Sequence, residues 1–311
     1  MRVARAAVRV ISRPQRGRRA QILSLSKVCF PSQQRHALIA EGDSDDVLDT
    51  LGEAGLDGGK GVVKDADGVP GAGGPVDGVV DEERVVLRAV IKGDGFVAKD
   101  ITFRNTAGPA NGQALALRVA ADKTVFYRCS IQGYQDTLYA HAFRQFYSDC
   151  SIYGTIDFIF GNAAAVFQNC SIVLRRPKPG GGNVIMANSR TDPGQITGLV
   201  AHRCTIKASP EFYPFRHWVG SFLGRPWKVR STAVIMESNI DDSIHPRGWL
   251  EWSGSFALDT LYFAEYHNNG PGADTSGRVT WPGFHILDVR RQCVPVHRAT
   301  FHRRRYSNDA I

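Results

Sequence analysis

Val125-Phe-Tyr-Arg-Cys-Ser-Ile131, Gln145-Phe-Tyr-Ser-Asp-Cys-Ser-Ile152 and Val166-Phe-Gln-Asn-Cys-Ser-Ile172 are three versions of one phrase, and their cysteines, Cys129, Cys150 and Cys170, lie 21 and 20 residues apart. Echoes follow at Cys204-Thr-Ile206 and Ser238-Asn-Ile240, and Asp100-Ile-Thr-Phe103 precedes the series. The longer intervals, 28 residues before the series and 34 after it, are those expected of a repeat unit with a surface loop inserted. Each phrase is short, β-branched and aromatic, and bounded by Gly, Asn or Asp, which is the pattern of a strand. A strand unit of this length cannot bury its apolar face alone, so it must stack on its neighbours. The repeat therefore predicts an all-β fold, a parallel β-helix, with rungs about 4.8 Å apart and the recurrent Ile and Cys in inward ladders.

Counting outward from the repeat brings two carboxylates together. Asp136, in Tyr134-Gln-Asp-Thr-Leu138, and Asp157, in Ile156-Asp-Phe-Ile-Phe-Gly161, are 21 residues apart, the interval that separates Cys129 from Cys150. They are expected at equivalent places on adjacent rungs, where two carboxylates cannot both ionise cheaply and one becomes a proton donor. Closing a turn is the ordinary role of an aspartate between strands; the matched register favours a shared site. Gln113 falls about one rung before Asp136, and Gln135 adjoins it, so amide donors stand where a developing oxyanion needs them. Arg225 lies in Leu223-Gly-Arg-Pro-Trp227, and Trp249 and Trp252 follow; tryptophan faces are a means of holding sugar rings.

The cysteines leave two readings open. They form a column of small buried apolar groups, or neighbouring rungs are bridged, with Cys150 and Cys170 as the candidate disulfide. The spacings of the repeat's cysteines contain no C-x-x-C pair of the kind a standard zinc site uses.

Gln113-Ala-Leu-Ala-Leu-Arg118, Gln135-Asp-Thr-Leu138, Asp157-Phe-Ile-Phe-Gly161 and Leu223-Gly-Arg-Pro-Trp227 resemble, in order, four signatures of the plant pectin methylesterases. The likeness runs from about Gly93 to about Leu287. It implies a right-handed, pectin lyase-like solenoid that hydrolyses the C6 methyl ester of homogalacturonan. Carried over by motif, Asp157 is the nucleophile, Asp136 the general acid and then base, and Gln113 and Gln135 stabilise the oxyanion. Arg225 orients Asp157 and contacts substrate, and Tyr139, Phe160, Trp227 and Trp252 line the sugar groove beside Gln113. The resemblance implies no metal or organic cofactor. It implies pectin as the partner, an inhibitor protein as a second one, a monomer, and action in the extracellular cell wall.

Charge and composition divide the chain into three segments. Residues 1–40 carry nine Lys or Arg and no acid, residues 41–91 carry thirteen acids against four bases, and residues 289–311 are net +5; residues 92–288 keep +3 of the total +8. The strongest basic clusters thus lie outside the repeat, which argues against a nucleic-acid surface. Residues 1–91 contain a single aromatic, Phe30, and read as disordered. The Arg-rich start reads as a transit peptide or a solvated tail and lacks the apolar run of a secretory signal. The domain reading is an atypical segment 1–91, a β-helix over 92–288 and a basic tail over 289–311. Both ends depart from the pectin methylesterase pattern, which carries earlier rungs and a hydrophobic closing segment. The expectation for them is a truncated or altered reading frame.

Several alternatives are excluded. No apolar run of 18 residues occurs, so no membrane-spanning helix is expected. No G-x-S-x-G elbow of a serine esterase is present, nor the Gly-His-Gly element expected of a polygalacturonase. A pectate lyase would depend on calcium. The competing reading from another class is a truncated, catalytically impaired homologue that binds pectin without turning it over.

Overall fold

The computed structural model describes residues 89–288, together with two-residue strands at Val10–Ile11, Ile22–Leu23 and Leu38–Ile39. The remaining parts of 1–91 and of the basic tail, with the expectations attached to them, lie outside the described residues.

The chain winds as a parallel β-helix of three sheets, and among the described residues there is no α-helix. One complete rung is Leu138–Ala142, Arg144–Ser148 and Ser151–Gly154; the next is Ile159–Gly161, Ala164–Gln168 and Ser171–Leu174. Leu138 pairs with Ile159, Phe146 with Val166, and Ser151 with Ser171, all in parallel. The first sheet, which holds Leu117–Ala120, Leu138–Ala142, Ile159–Gly161, Asn183–Asn188 and Ser221–Pro226, carries the candidate site. Its ladder already includes Val90–Ile91, paired with Arg118 and Val119, ahead of the boundary read from composition.

The core is a set of ladders, as the repeat predicts. Ile131, Ile152, Ile172, Ile206 and Ile240 stack rung upon rung in the third sheet, each with no exposed surface. Full burial of one such side chain contributes roughly 1.5–3 kcal/mol. In the second sheet Phe126, Tyr147 and Phe167 stack with centroids 4.8 and 4.7 Å apart, a separation set by the rung spacing. The Tyr147 hydroxyl donates to Gln145 Oε1 at 2.8 Å, which satisfies the polar end of a fully buried ring.

One residue per rung makes the corner between the second and third sheets. Asp100, Arg128, Asp149, Asn169, Arg203, Glu237 and His267 all have φ between 46° and 58°. The left-handed conformation costs an L-residue about 1–2 kcal/mol. The N–H of each of the first six donates to a carbonyl on the following rung, for example Arg128 N to Ser148 O at 3.0 Å. Outside the corner, neighbouring residues pair: Arg128 grips Asp100 through two bonds of 2.7 and 2.6 Å, and Arg203 reaches Glu237 at 2.9 Å.

The residue after each corner points inward, and this forms the cysteine column. Cys129, Cys150, Cys170 and Cys204 are all buried free thiols, so the candidate disulfide between Cys150 and Cys170 is not formed. Stacked residues on parallel rungs project their Cβ atoms in the same direction, about 4.8 Å apart, beyond the roughly 3.5–4.5 Å at which a bridge closes. Each thiol points instead at backbone carbonyls, Cys150 Sγ at Phe126 O (3.4 Å) and Cys170 Sγ at Tyr147 O (3.4 Å).

Near the far end of the described ladder a buried ion pair ties four segments together. Arg278 donates to Glu265 through Nε and Nη2, at 2.7 and 3.1 Å, and both side chains are 2% exposed. Arg278 also donates to the carbonyls of Pro246 and Gly272, and Trp249 Nε1 donates to Glu265 at 3.1 Å. The charges are thus paired and hydrogen-bonded, the condition under which they tolerate burial.

Candidate active site

Asp136 and Asp157 stand at the mouth of the first sheet, each two residues before a strand position that pairs with the other's strand, Leu138 with Ile159. Both have positive φ, 57° and 50°, so each carboxylate sits on a tight corner that re-aims the chain into the strand. Asp136 N donates to Ile156 O at 3.0 Å, which fixes the two corners one rung apart. The close stacking demands glycine nearby: at Gly161, with φ of 121°, a Cβ would lie 2.2 Å from Ala140 O.

The two aspartates have different partners. Arg225 grips Asp157 bidentately, Nε to Oδ1 at 2.9 Å and Nη2 to Oδ2 at 2.5 Å, with the Asp157 side chain 10% exposed. Such a fork fixes both the carboxylate plane and its charge. Asp136 has no such partner. Burial, and next the negative charge of Asp157, raise its pKa well above the usual carboxylate range; Arg225 and a hydrogen bond from Gln113 oppose this without cancelling it. Asp136 therefore holds a proton at pH values where an ordinary aspartate has lost it.

Gln113 is exposed and bridges in parallel register to Gln135, so the two amides line up on successive rungs beside Asp136. Outward from the acids, Tyr139 and Phe160 stack at 4.5 Å with planes 9° apart, and Trp227 meets Phe160 edge-on at 5.9 Å. Trp252 lies over the Arg225 guanidinium at 4.2 Å. Trp249, the other tryptophan of that stretch, is fully buried against Phe263 and belongs to the core. The result is a polar cluster of two acids, two amides and one guanidinium, flanked by aromatic faces. It can attack an electrophilic carbon, hold the oxyanion that forms, and deliver a proton to the leaving group.

The family model for pectinesterase matches residues 84–303. This chain belongs to the pectinesterase family. Among curated pectinesterases, it is 56% identical over 197 residues to pectinesterase 2 of Citrus sinensis, a match covering 63% of this chain and 38% of that protein. It is 53% identical over 224 residues to pectinesterase/pectinesterase inhibitor 18 of Arabidopsis thaliana, covering 72% and 40% respectively. The chain thus spans about two fifths of the length of these relatives. Among solved structures, pectin methylesterase from carrot superposes with a TM-score of 0.65 at 52% identity, covering 66% of this chain and 64% of that one. The enzyme from Aspergillus niger gives 0.56 at 35% identity, covering 63% and 60%.

Three features of this pectinesterase site escape a motif reading. Arg118 lies over the Tyr139 ring, 5.6 Å from its centroid, and its Nη2 donates to His141 Nδ1 at 3.1 Å. Burial, and next the charge of Arg118, lower the His141 pKa to about 4, so the imidazole is a neutral acceptor near pH 7. Beside Arg225 a cavity of about 180 Å³ is lined by Ile156, Val184, Phe222 and Leu250. Arg118, Tyr139, Phe160, Ala187 and Arg225 occupy one outward column along the sheet. The resemblance to family motifs names all of these but Ala187; that they share one register follows only from strand pairing.

Proposed function

We propose that this chain is a pectin methylesterase, hydrolysing the C6 methyl esters of homogalacturonan to methanol and a free carboxylate. One observation carries the reading: of two register-matched aspartates, Asp157 is locked to Arg225 while Asp136 is biased toward its protonated form. In the proposed cycle Asp157 attacks the ester carbonyl, and Gln113 and Gln135 hold the oxyanion, each such donor being worth about 3 kcal/mol. As the acyl carbon–methoxy bond breaks, Asp136 protonates the departing oxygen, so that methanol leaves and the acyl group stays bonded to Asp157. The same residue, now a carboxylate, takes a proton from water, whose oxygen attacks the acyl carbon and frees Asp157. Tyr139, Phe160, Trp227 and Trp252 supply faces for the sugar rings. The proposed place of action is the plant cell wall. An inhibitor protein is a proposed partner, in keeping with the paired names of several relatives.

The test is methanol release from highly methylated pectin by the full chain and by Asp157→Ala, with circular dichroism showing both folded. The expected result is release by the parent chain and none by the variant. A folded parent chain that releases no methanol overturns the esterase reading and leaves a pectin-binding homologue in its place.

A further inference from the structure

On the third sheet the inward ladder of isoleucines has an outward counterpart. Arg104, Gln132, Tyr153, Val173 and Lys207 occupy one register on five successive rungs. A column of five rungs spans about 19 Å along the solenoid axis. Arg104 at one end donates to Gln132 Oε1 at 2.7 Å, and Lys207 at the other is exposed and makes no ion pair among the described residues. Over the three rungs at the Lys207 end of this column lies a cavity of about 530 Å³, floored by Tyr153, Val173 and Lys207. Its wall is the excursion that leaves the strand Thr205–Ala208, with Pro210, Tyr213 and Pro214 facing the cavity.

The wall is braced. Arg216 stacks on Tyr213 at 3.7 Å and is itself held by Asp242 through two bonds of 2.7 Å. Arg176 stacks on Phe215 of the same excursion at 3.7 Å. Two acids that follow the next strand are already engaged: Asp242 by Arg216, and Asp241 by Ala208 N and the Ser243 backbone and hydroxyl. Glu211 is exposed on the excursion itself. The surface thus offers one tyrosine face in the column, Tyr153, and a second on the wall, Tyr213, while Arg104 and Lys207 at the column's two ends make no ion pair among the described residues. None of these residues belongs to the aspartate cluster, which lies on the first sheet.

We propose that this face is a second binding surface, separate from the candidate active site, for an extended acidic polysaccharide. Tyr153 and Tyr213 take the apolar faces of sugar rings, and Lys207 and Arg104 take carboxylates. A polymer laid along the axis meets one residue of the column at each rung, which an isolated small anion does not need. The choice of polyuronate rests on the proposed function, and it gives the surface a role: holding demethylated stretches of the polymer while esterified ones reach the groove.

The experiment is calorimetric titration of the full chain with an unesterified oligogalacturonate long enough to span the column, which offers no ester to hydrolyse. Two classes of site are expected. The Lys207→Gln/Tyr213→Ala double variant and, separately, Arg104→Gln should weaken one class about tenfold or more and leave the other. Methanol release from a short methylated oligomer should be unchanged in these variants. A single class of site, or binding indifferent to both variants while they remain folded by circular dichroism, overturns the proposal. Equally tight binding of single-stranded DNA of matched charge overturns the polysaccharide assignment. Should the parent chain release no methanol, binding that depends on Lys207 and Tyr213 still supports the second surface, so the two readings fail separately.

Discussion

Asp136 and Asp157 occupy the same register on successive rungs with the same left-handed backbone, yet only Asp157 is gripped by a guanidinium. The solenoid supplies two copies of one position, and a single long-range contact makes them chemically different. Arg225 reaches across 68 residues of sequence to do so.

The asymmetry predicts a stability cost that function requires. Because the folded-state pKa of Asp136 is raised, the native protein binds more protons than the unfolded chain above the ordinary aspartate range, and stability falls as pH rises through that window. Asp136→Asn should therefore raise the apparent Tm at neutral pH, with the gain vanishing at acid pH, where the parent carboxyl is protonated in both states. Methanol release should fall by about 10²–10⁴. Thermal unfolding across pH checks the sign; a gain that persisted in acid would contradict the assignment.

The fork between Arg225 and Asp157 predicts intolerance of a charge-conserving change. Arg225→Lys keeps the cation but loses the planar pair of hydrogen bonds to Asp157 and the stack under Trp252. The expected effect is a fall in kcat of about 10²-fold, the scale of a 1 Å misplacement, with the circular dichroism spectrum intact. Steady-state kinetics with kcat and KM resolved would show it.

The buried pair of Arg278 and Glu265 is a structural counterpart with the opposite prediction. Arg278→Leu leaves Glu265 buried without its cation and should cost about 3–5 kcal/mol, or about 10 °C in apparent Tm. Activity per folded molecule should be unchanged at low temperature. Paired unfolding and activity measurements distinguish this from damage to the groove.

The thiol column predicts chemical silence. All four thiols are buried, which keeps a reagent from reaching them in the folded protein, whatever the direction of each one's pKa shift. Labelling with a thiol reagent should show four additional reactive cysteines on unfolding, Cys129, Cys150, Cys170 and Cys204. A reductant should leave the apparent Tm where it was. A reductant-sensitive Tm would restore the disulfide.

Much of the architecture is legible from the phrase around Cys129, Cys150 and Cys170, because a parallel solenoid converts sequence interval into spatial register. Counting one interval placed Ile131 under Ile152 and Asp136 beside Asp157. The same counting fails where loops lengthen a rung: nothing in the spacing joins Phe160 to Ala187 and Arg225, or Tyr153 to Lys207. The corner residues had a visible signal, since Arg128, Asp149 and Asn169 each precede a Cys of the phrase, but polar residues at a turn do not announce a left-handed backbone. Trp249 and Trp252, three positions apart, differ completely in fate, one stacked in the core and one over Arg225.

The sequence by itself determined that this chain stacks into a parallel β-helix and that two aspartates share a register, because both follow from a local period repeated along the chain. Only the tertiary structure decided which aspartate is paired with Arg225, that the column of cysteines stays as thiols, and that the third sheet presents a cationic, aromatic outer face. These depend on side-chain directions and on contacts between rungs separated by loops of unequal length, and no period in the sequence encodes those.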